Sequence, residues 1–270
     1  HSILTEDQGK IIDVKNGVKT QFLYDFFLKK IKEEPDLVLN KRNHLSKDIY
    51  NKYFAKNPKK ISEKLLQLFI EKGGNFKKEK IEEVKILDTN KVNIHTNDNT
   101  YIYDRIVLCA GVWSKKLTDK LGENIPLASE RGYHLMYPHP ENSISRPIAW
   151  QERGVYFTPM QDGLRAGGVV ELGGNSNEIS SKVVSYLKRA TEAVFPNINN
   201  HLSEWVGFRP SVPDSLPVIG QSKKNPYIYY CFGHQHIGWS LGGISGKLIA
   251  QEICANKTDI DLKPFSVGRF

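Results

Sequence analysis

The sequence predicts an α/β fold carrying an α+β insertion. Three observations predict it. Ile106-Val107-Leu108-Cys109-Ala110 is apolar on both faces, as in a covered parallel strand. Val155 to Met160 and Leu164 to Glu171 flank Gln161-Asp162-Gly163, an antiparallel hairpin signal. Tyr227 to Phe232, then glycines, then an amphipathic stretch restores a strand–turn–helix pattern near the end.

In chain order, Val18 to Ile31 places Phe22, Leu23, Phe26, Phe27 and Ile31 on one face of a helix. A second helix has Asn57 as cap, Pro58 at its first position, Leu65, Leu66, Phe69 and Ile70 as stripe, and Gly73-Gly74 as stop. Short strands follow at Val84 to Leu87, Val92 to Ile94 and Tyr101 to Tyr103, before the apolar run at Ile106. After the hairpin a helix runs from about Lys182 to Val194, then turns at Pro210, Pro213 and Pro217. The last strand, Tyr227 to Phe232, leads through glycines to a helix around Ile244 to Cys254. This order predicts two domains, one discontinuous: 57–118 with 205–270, and 1–56 with 119–204.

With 270 residues, 39% hydrophobic and 25% charged, the chain can build a core, which excludes wholesale disorder. Its longest apolar run, Ile106 to Trp113, is far below the ~18 residues of a membrane-spanning helix. No basic-then-apolar leader opens it, and a cytoplasmic location is expected. Cys109, Cys231 and Cys254 sit in apolar surroundings and read as buried free thiols, with no metal site. The net charge of +8 is interleaved with acids, as in Lys77 to Glu83 and Lys29 to Glu34, so it reads as a solvated surface with no nucleic-acid partner.

The densest chemistry lies at Gly233-His234-Gln235-His236-Ile237-Gly238-Trp239-Ser240-Leu241-Gly242-Gly243. Gly238-Trp239-Ser240-Leu241-Gly242 matches the nucleophile elbow G-x-S-x-G, but no His follows His236 to serve as its base. A phosphate loop is excluded because Leu248 stands where Ser or Thr must follow Gly246-Lys247. His234-x-His236 lacks a second ligand cluster for a metal. A fourth reading remains, in which glycines bring backbone donors close to a large planar cofactor.

These residues resemble those of the D-amino-acid oxidase-like FAD-dependent oxidoreductases, nearest to the bacterial D-amino-acid dehydrogenase branch. The resemblance rests on Gly207-Phe208-Arg209-Pro210-Ser211-Val212-Pro213-Asp214, on Phe232-Gly233-His234-x-His236-x-Gly238-Trp239-Ser240 and on Pro264-Phe265-Ser266-x-x-Arg269-Phe270. Val107 to Ser114, Glu130-Arg131-Gly132-Tyr133-His134 and Tyr156-x-x-Pro159-Met160-x-Asp162-Gly163-Leu164-Arg165 add to it, and residues 1–56 match less well.

The resemblance implies FAD, a Rossmann-like cofactor domain made of 57–118 and 205–270, an antiparallel substrate domain, and oxidative deamination of a D-amino acid. It assigns the substrate carboxylate to Arg209 with help from Tyr156, the ADP half of FAD to Gly111 and Trp113, and the flavin ring to Gly233, His234, His236, Gly238, Trp239, Ser240 and Leu241. No side-chain base is required, because the amino acid can react as its neutral amine. Electrons would pass to oxygen or a quinone, and a basic surface suits contact with an anionic inner membrane face. A glycine or sarcosine type of amine oxidase and a non-catalytic interaction module are the alternatives.

One departure stands out. The family's G-x-G-x-x-G fingerprint occurs nowhere in these residues, and the first residue is His. The chain is therefore expected to lack the first strand–helix–strand of the cofactor domain, to be a truncated form, and to bind FAD poorly on its own.

Overall fold

The computed structural model describes residues 2–5, 10–14, 57–140, 144–172 and 174–270. The helix expected over Val18 to Ile31 lies outside the described residues. The chain divides into two compact units, 1–39 with 64–128 and 209–270, and 40–63 with 129–208.

The strands are β1 (Ser2–Thr5), β2 (Lys10–Val14), β3 (Gly74–Lys77), β4 (Ile81–Ile86), β5 (Val92–Thr96), β6 (Thr100–Tyr103), β7 (Ile106–Leu108), β8 (Ala128–Tyr137), β9 (Ile148–Trp150), β10 (Val155–Met160), β11 (Gly163–Leu172), β12 (Ser203–Ser211), β13 (Val218–Gln221) and β14 (Ile228–Phe232). The helices are α1 (Pro58–Glu71), α2 (Ser114–Lys120), α3 (Ser181–Val194) and α4 (Gly238–Ile253). At α1 the signals act as read. The Asn57 side-chain oxygen accepts from the Lys60 amide at 3.0 Å, Pro58 opens the helix, and Gly73 leaves it at φ +88°.

The first unit holds a six-stranded sheet in the order β13-β14-β7-β1-β2-β3. Strand β7 is parallel to both β14 and β1, which explains its apolar character on both faces. Alternation splits the neighbours of that sheet into two cores. Ile106, Leu108, Val218, Ile228 and Tyr230 pack with Ile81, Val84, Val92 and Ile94 of the three-stranded sheet β4-β5-β6. Val107, Ile219 and Tyr229 meet Ile249 and Ile253 of α4 on the other face. A strand covered on both faces was the expectation, and α4 covers one of them. The other is covered by a small antiparallel sheet, whose alternation serves as well as a helix stripe.

The second unit is a five-stranded antiparallel sheet, β12-β8-β11-β10-β9. The predicted hairpin pairs Met160 with Gly163 across Gln161-Asp162. Phe157, Ala166 and Leu135 project from one face into a core with Val184 and Leu187 of α3. Their sequence neighbours Tyr156, Thr158, Arg165, Gly167, His134 and Met136 therefore lie on the second face.

Three expectations change. Residues 1–56 were grouped with the antiparallel unit, yet β1 and β2 join the six-stranded sheet through β7 and β3. The last helix begins at Gly238, not near Ile244, because glycines that read as a loop are helical from the first. The three cysteines are free, but only Cys109 and Cys231 are half-buried, and Cys254 is exposed.

Candidate functional site

Because β7 and β14 run parallel, their C-terminal ends lie at one edge of the sheet, the edge where open α/β sheets place ligands. Both strands leave through glycines in left-handed geometry, Gly111 at φ +55° and Gly233 at φ +83°. Gly111 is buried and opens a short 3-10 turn through Trp113, which is 39% exposed.

Beyond Gly233 the chain makes a tight turn with Gln235 also left-handed, at φ +51°. The Gln235 amide donates to the Pro210 carbonyl at 3.1 Å, and its side-chain nitrogen donates to the Val212 carbonyl at 3.1 Å. These two bonds fasten the end of β12, which carries half-buried Arg209, to the turn that precedes α4. Inside the turn His234 Nε2 and Ser245 Oγ are hydrogen-bonded at 2.8 Å. Burial lowers the His234 pKa to about 4, so the imidazole is neutral near pH 7. His236 is exposed, and Trp239 is 55% exposed at the helix start.

Gly238, Trp239, Ser240 and Leu241 form the first turn of α4, where the sequence had placed a loop. No side chain caps this end, and the first helical bond recorded there is from the Leu241 amide to the Ile237 carbonyl at 3.0 Å. Gly238, Gly242 and Gly246 recur every four residues and so share a face. A Cβ at Gly242 or Gly246 would meet nothing within 4 Å, and one at Gly238 would meet only His234, at 3.1 Å. The helix thus offers bare backbone and uncapped amides at the ligand edge of the sheet, features that fit a flat, electron-rich ring and its carbonyl oxygens.

The two remaining motif fragments fit together. Arg269 Nε donates to Asp214 Oδ2 at 2.6 Å, and Nη2 reaches Leu216 O at 2.5 Å. Arg269 Nη1 donates to the carbonyls of Phe265 and Ser266 at 2.8 and 3.1 Å. The Asp214 carboxyl is held below its ordinary pKa, chiefly by Arg269.

In the second unit, Tyr156 is 53% exposed on the sheet face opposite α3. The same face carries Arg165, and His134 stacked on Trp205 with ring centroids 4.7 Å apart. Burial, then the Arg165 charge, lowers the His134 pKa to about 4. In the sequence Arg165, His134 and Trp205 are only members of motifs. The signal that finds two of them is period two, since each alternates with a core residue of its strand, Ala166 or Leu135.

The Cys231 thiol of β14 and burial together raise the pKa of Cys109, which lies just beyond β7. Among the described residues no group of three or more His, Cys, Asp or Glu could hold a metal ion. Among them, too, no helix is long and apolar enough to cross a membrane.

Comparison with known proteins gives the family. The family described as FAD dependent oxidoreductase (DAO) matches residues 31–252. A D-amino-acid oxidase of Bradyrhizobium diazoefficiens is 32% identical over 203 residues, covering 73% of this chain and 48% of that protein. A D-amino acid dehydrogenase of Allorhizobium ampelinum is 26% identical, covering 70% of this chain and 46% of its own length. Glycine oxidase from Geobacillus kaustophilus superposes with a TM-score of 0.64 at 22% identity, over 71% of this chain and 52% of that one. The chain spans about half the length of the curated relatives it matches. Through that match over most of its length, the chain belongs to the FAD-dependent oxidoreductase (DAO) family.

Proposed function

We propose that this chain supplies flavin- and substrate-binding parts of an enzyme that oxidatively deaminates a D-amino acid. The observation that carries the reading is the fastening of Arg209's strand to the glycine turn through Gln235, at the edge where β7 and β14 end. When bound, FAD supplies a two-electron acceptor for the substrate's α-hydrogen, taken as hydride at N5. Gly111 and Trp113 are proposed to line the path of its ADP half, and Gly233, His234, His236 and Gly238 to Leu241 to face the ring. Uncapped amides at the start of α4 would steady negative charge there.

Arg209 is proposed to grip the substrate carboxylate in a fork, fixing the α-carbon, with the Tyr156 hydroxyl as a further donor. Neutral His234, already engaged with Ser245, is left to shape the wall and not to take the amine proton. The electron acceptor is proposed to be oxygen or a quinone. A charge of +8 suits docking at an anionic bilayer face if the quinone is the partner.

The test is a titration of the chain, with FAD in large excess to offset the weak binding expected of it, with D-alanine, L-alanine and ethylamine, following flavin absorbance. Substrate-dependent bleaching is expected with D-alanine alone. Arg209→Met should weaken D-alanine binding by roughly 2–4 kcal/mol, since a bidentate charged contact is lost. Equal response to ethylamine and D-alanine would overturn the assignment of Arg209.

A further inference from the structure

The two arginines on neighbouring strands of the second unit are treated very differently by their surroundings. Arg131 has an acid and a carbonyl: Nη1 lies 3.0 Å from Glu171 Oε2 and Nη2 donates to the Glu178 carbonyl, although its Nε is buried and unpaired. Arg165, on β11, is half-buried with no carboxylate partner and no hydrogen bond among the described residues, and its Nε is wholly buried and unpaired. The one charge interaction recorded for it is with His134, and that one is unfavourable to protonating the imidazole. A guanidinium removed from water without an acid costs free energy that an anionic ligand would recover.

The surroundings of Arg165 suit a small carboxylate. In register, Arg165 stands between Thr158 and Met136, and two residues on Gly167 stands between Tyr156 and His134. Gly167 has no side chain to fill the space, and a Cβ there would press on the Cβ of His134 at 3.2 Å and the Tyr133 carbonyl at 3.3 Å. Gly167 thus lets β8 and β11 approach closely, and this face carries a phenol on one side of it and the stacked His134–Trp205 pair on the other. Diagonal positions such as Tyr156 and Arg165 are roughly 7–8 Å apart at Cα, a span that the short chain between the two carboxylates of an acidic amino acid can bridge. The flat wall of His134 and Trp205 suits a short methylene chain.

We propose that Arg165 is a specificity residue: it binds a carboxylate at the end of the ligand's side chain, so that the preferred ligand is an acidic amino acid. This rests on the reading above, in which the ligand is an amino acid whose α-carboxylate is held by another group. Arg165 needs a second anion, and the fork geometry of a guanidinium selects a planar one.

The experiment is isothermal titration of the full chain with D-glutamate, with D-norvaline, which keeps the chain length but ends in methyl, and with glutarate. Wild type should bind D-glutamate at least tenfold more tightly than D-norvaline. Arg165→Met should bring D-glutamate to the D-norvaline level and leave D-norvaline unchanged, and Arg165→Lys should keep part of the preference. Melting curves of both variants check that they fold. Equal affinities for the two amino acids in wild type, with D-norvaline bound, sink the inference and leave the amino-acid reading standing. Equal weakening of both ligands by Arg165→Met also sinks it, as does a failure of all three to bind. Binding of glutarate through Arg165 with neither amino acid bound supports the carboxylate site and overturns the amino-acid reading instead.

Discussion

Asp214 and Arg269 are 55 residues apart and meet as a charged clamp. Arg269 reaches Asp214 and three carbonyls, of Leu216, Phe265 and Ser266, so most of its donors are used. Asp214 also accepts the Leu216 amide at 3.1 Å, which shapes the loop next to Arg209's strand. The pair is partly exposed, with the Asp214 side chain 37% accessible, so its stabilising effect is screened. Asp214→Ala is expected to cost about 1–2 kcal/mol, read as a lower denaturant midpoint at unchanged slope. Arg269→Lys should cost a similar amount, because an ammonium cannot reach four acceptors in a plane. The folded pKa of Asp214 is depressed, so its contribution is present above the unfolded value of about 3.9 and lost as pH falls through the folded one. An Asp214→Ala chain whose midpoint matches wild type at pH 7 would show that the clamp holds nothing.

Elements depend on single glycines at two kinds of place. In the hairpin, Gly163 has φ +147°, and a Cβ there would strike the Tyr137 carbonyl oxygen of β8. The strand β11 lies between β8 and β10, so strain at Gly163 disturbs both pairings. Gly163→Ala is expected to destabilise by about 1–3 kcal/mol, from backbone strain plus overlap. Amide exchange at Leu164 and Ala166 should speed up while the β13–β14 amides stay protected. Equal loss of protection in both places would show that the residue acts globally instead. In α4 the glycines do the opposite, since their absence of side chains leaves a bare face. That contrast explains one error of sequence reading. Glycine runs signal a turn when φ must be positive, as at Gly233, yet Gly238, Gly242 and Gly246 are helical and only their four-residue spacing says so.

At the scale of the whole molecule, what could be read from sequence was local. The Asn57 cap, the Gln161-Asp162 hairpin and the doubly apolar β7 each carry their signal within a few residues. What could not be read depends on distant partners: the small sheet covering β7, the Asp214–Arg269 clamp, and Arg165 with no acid partner among the described residues. Acid response is another such property, and it comes from both units. His134 belongs to one and His234 to the other, and burial brings each pKa down to about 4. An unfolded histidine titrates near 6.5, so between about 6.5 and 4 the unfolded chain binds more protons than the folded one. Stability therefore falls with falling pH across that window, by up to ~1.4 kcal/mol per pH unit for each histidine and less after allowance for partial exposure. Glu252 acts the other way, because burial raises its pKa and favours its protonation in the folded state. Two groups against one leave a net loss of order 1–3 kcal/mol by pH 4.5. Chemical denaturation of wild type and of His134→Gln/His234→Gln from pH 7 to 4.5 checks it. The double variant starts lower, since it loses the His234–Ser245 hydrogen bond, but its midpoint should vary less with pH. Parallel curves for the two proteins would mean that neither imidazole is kept neutral by the fold.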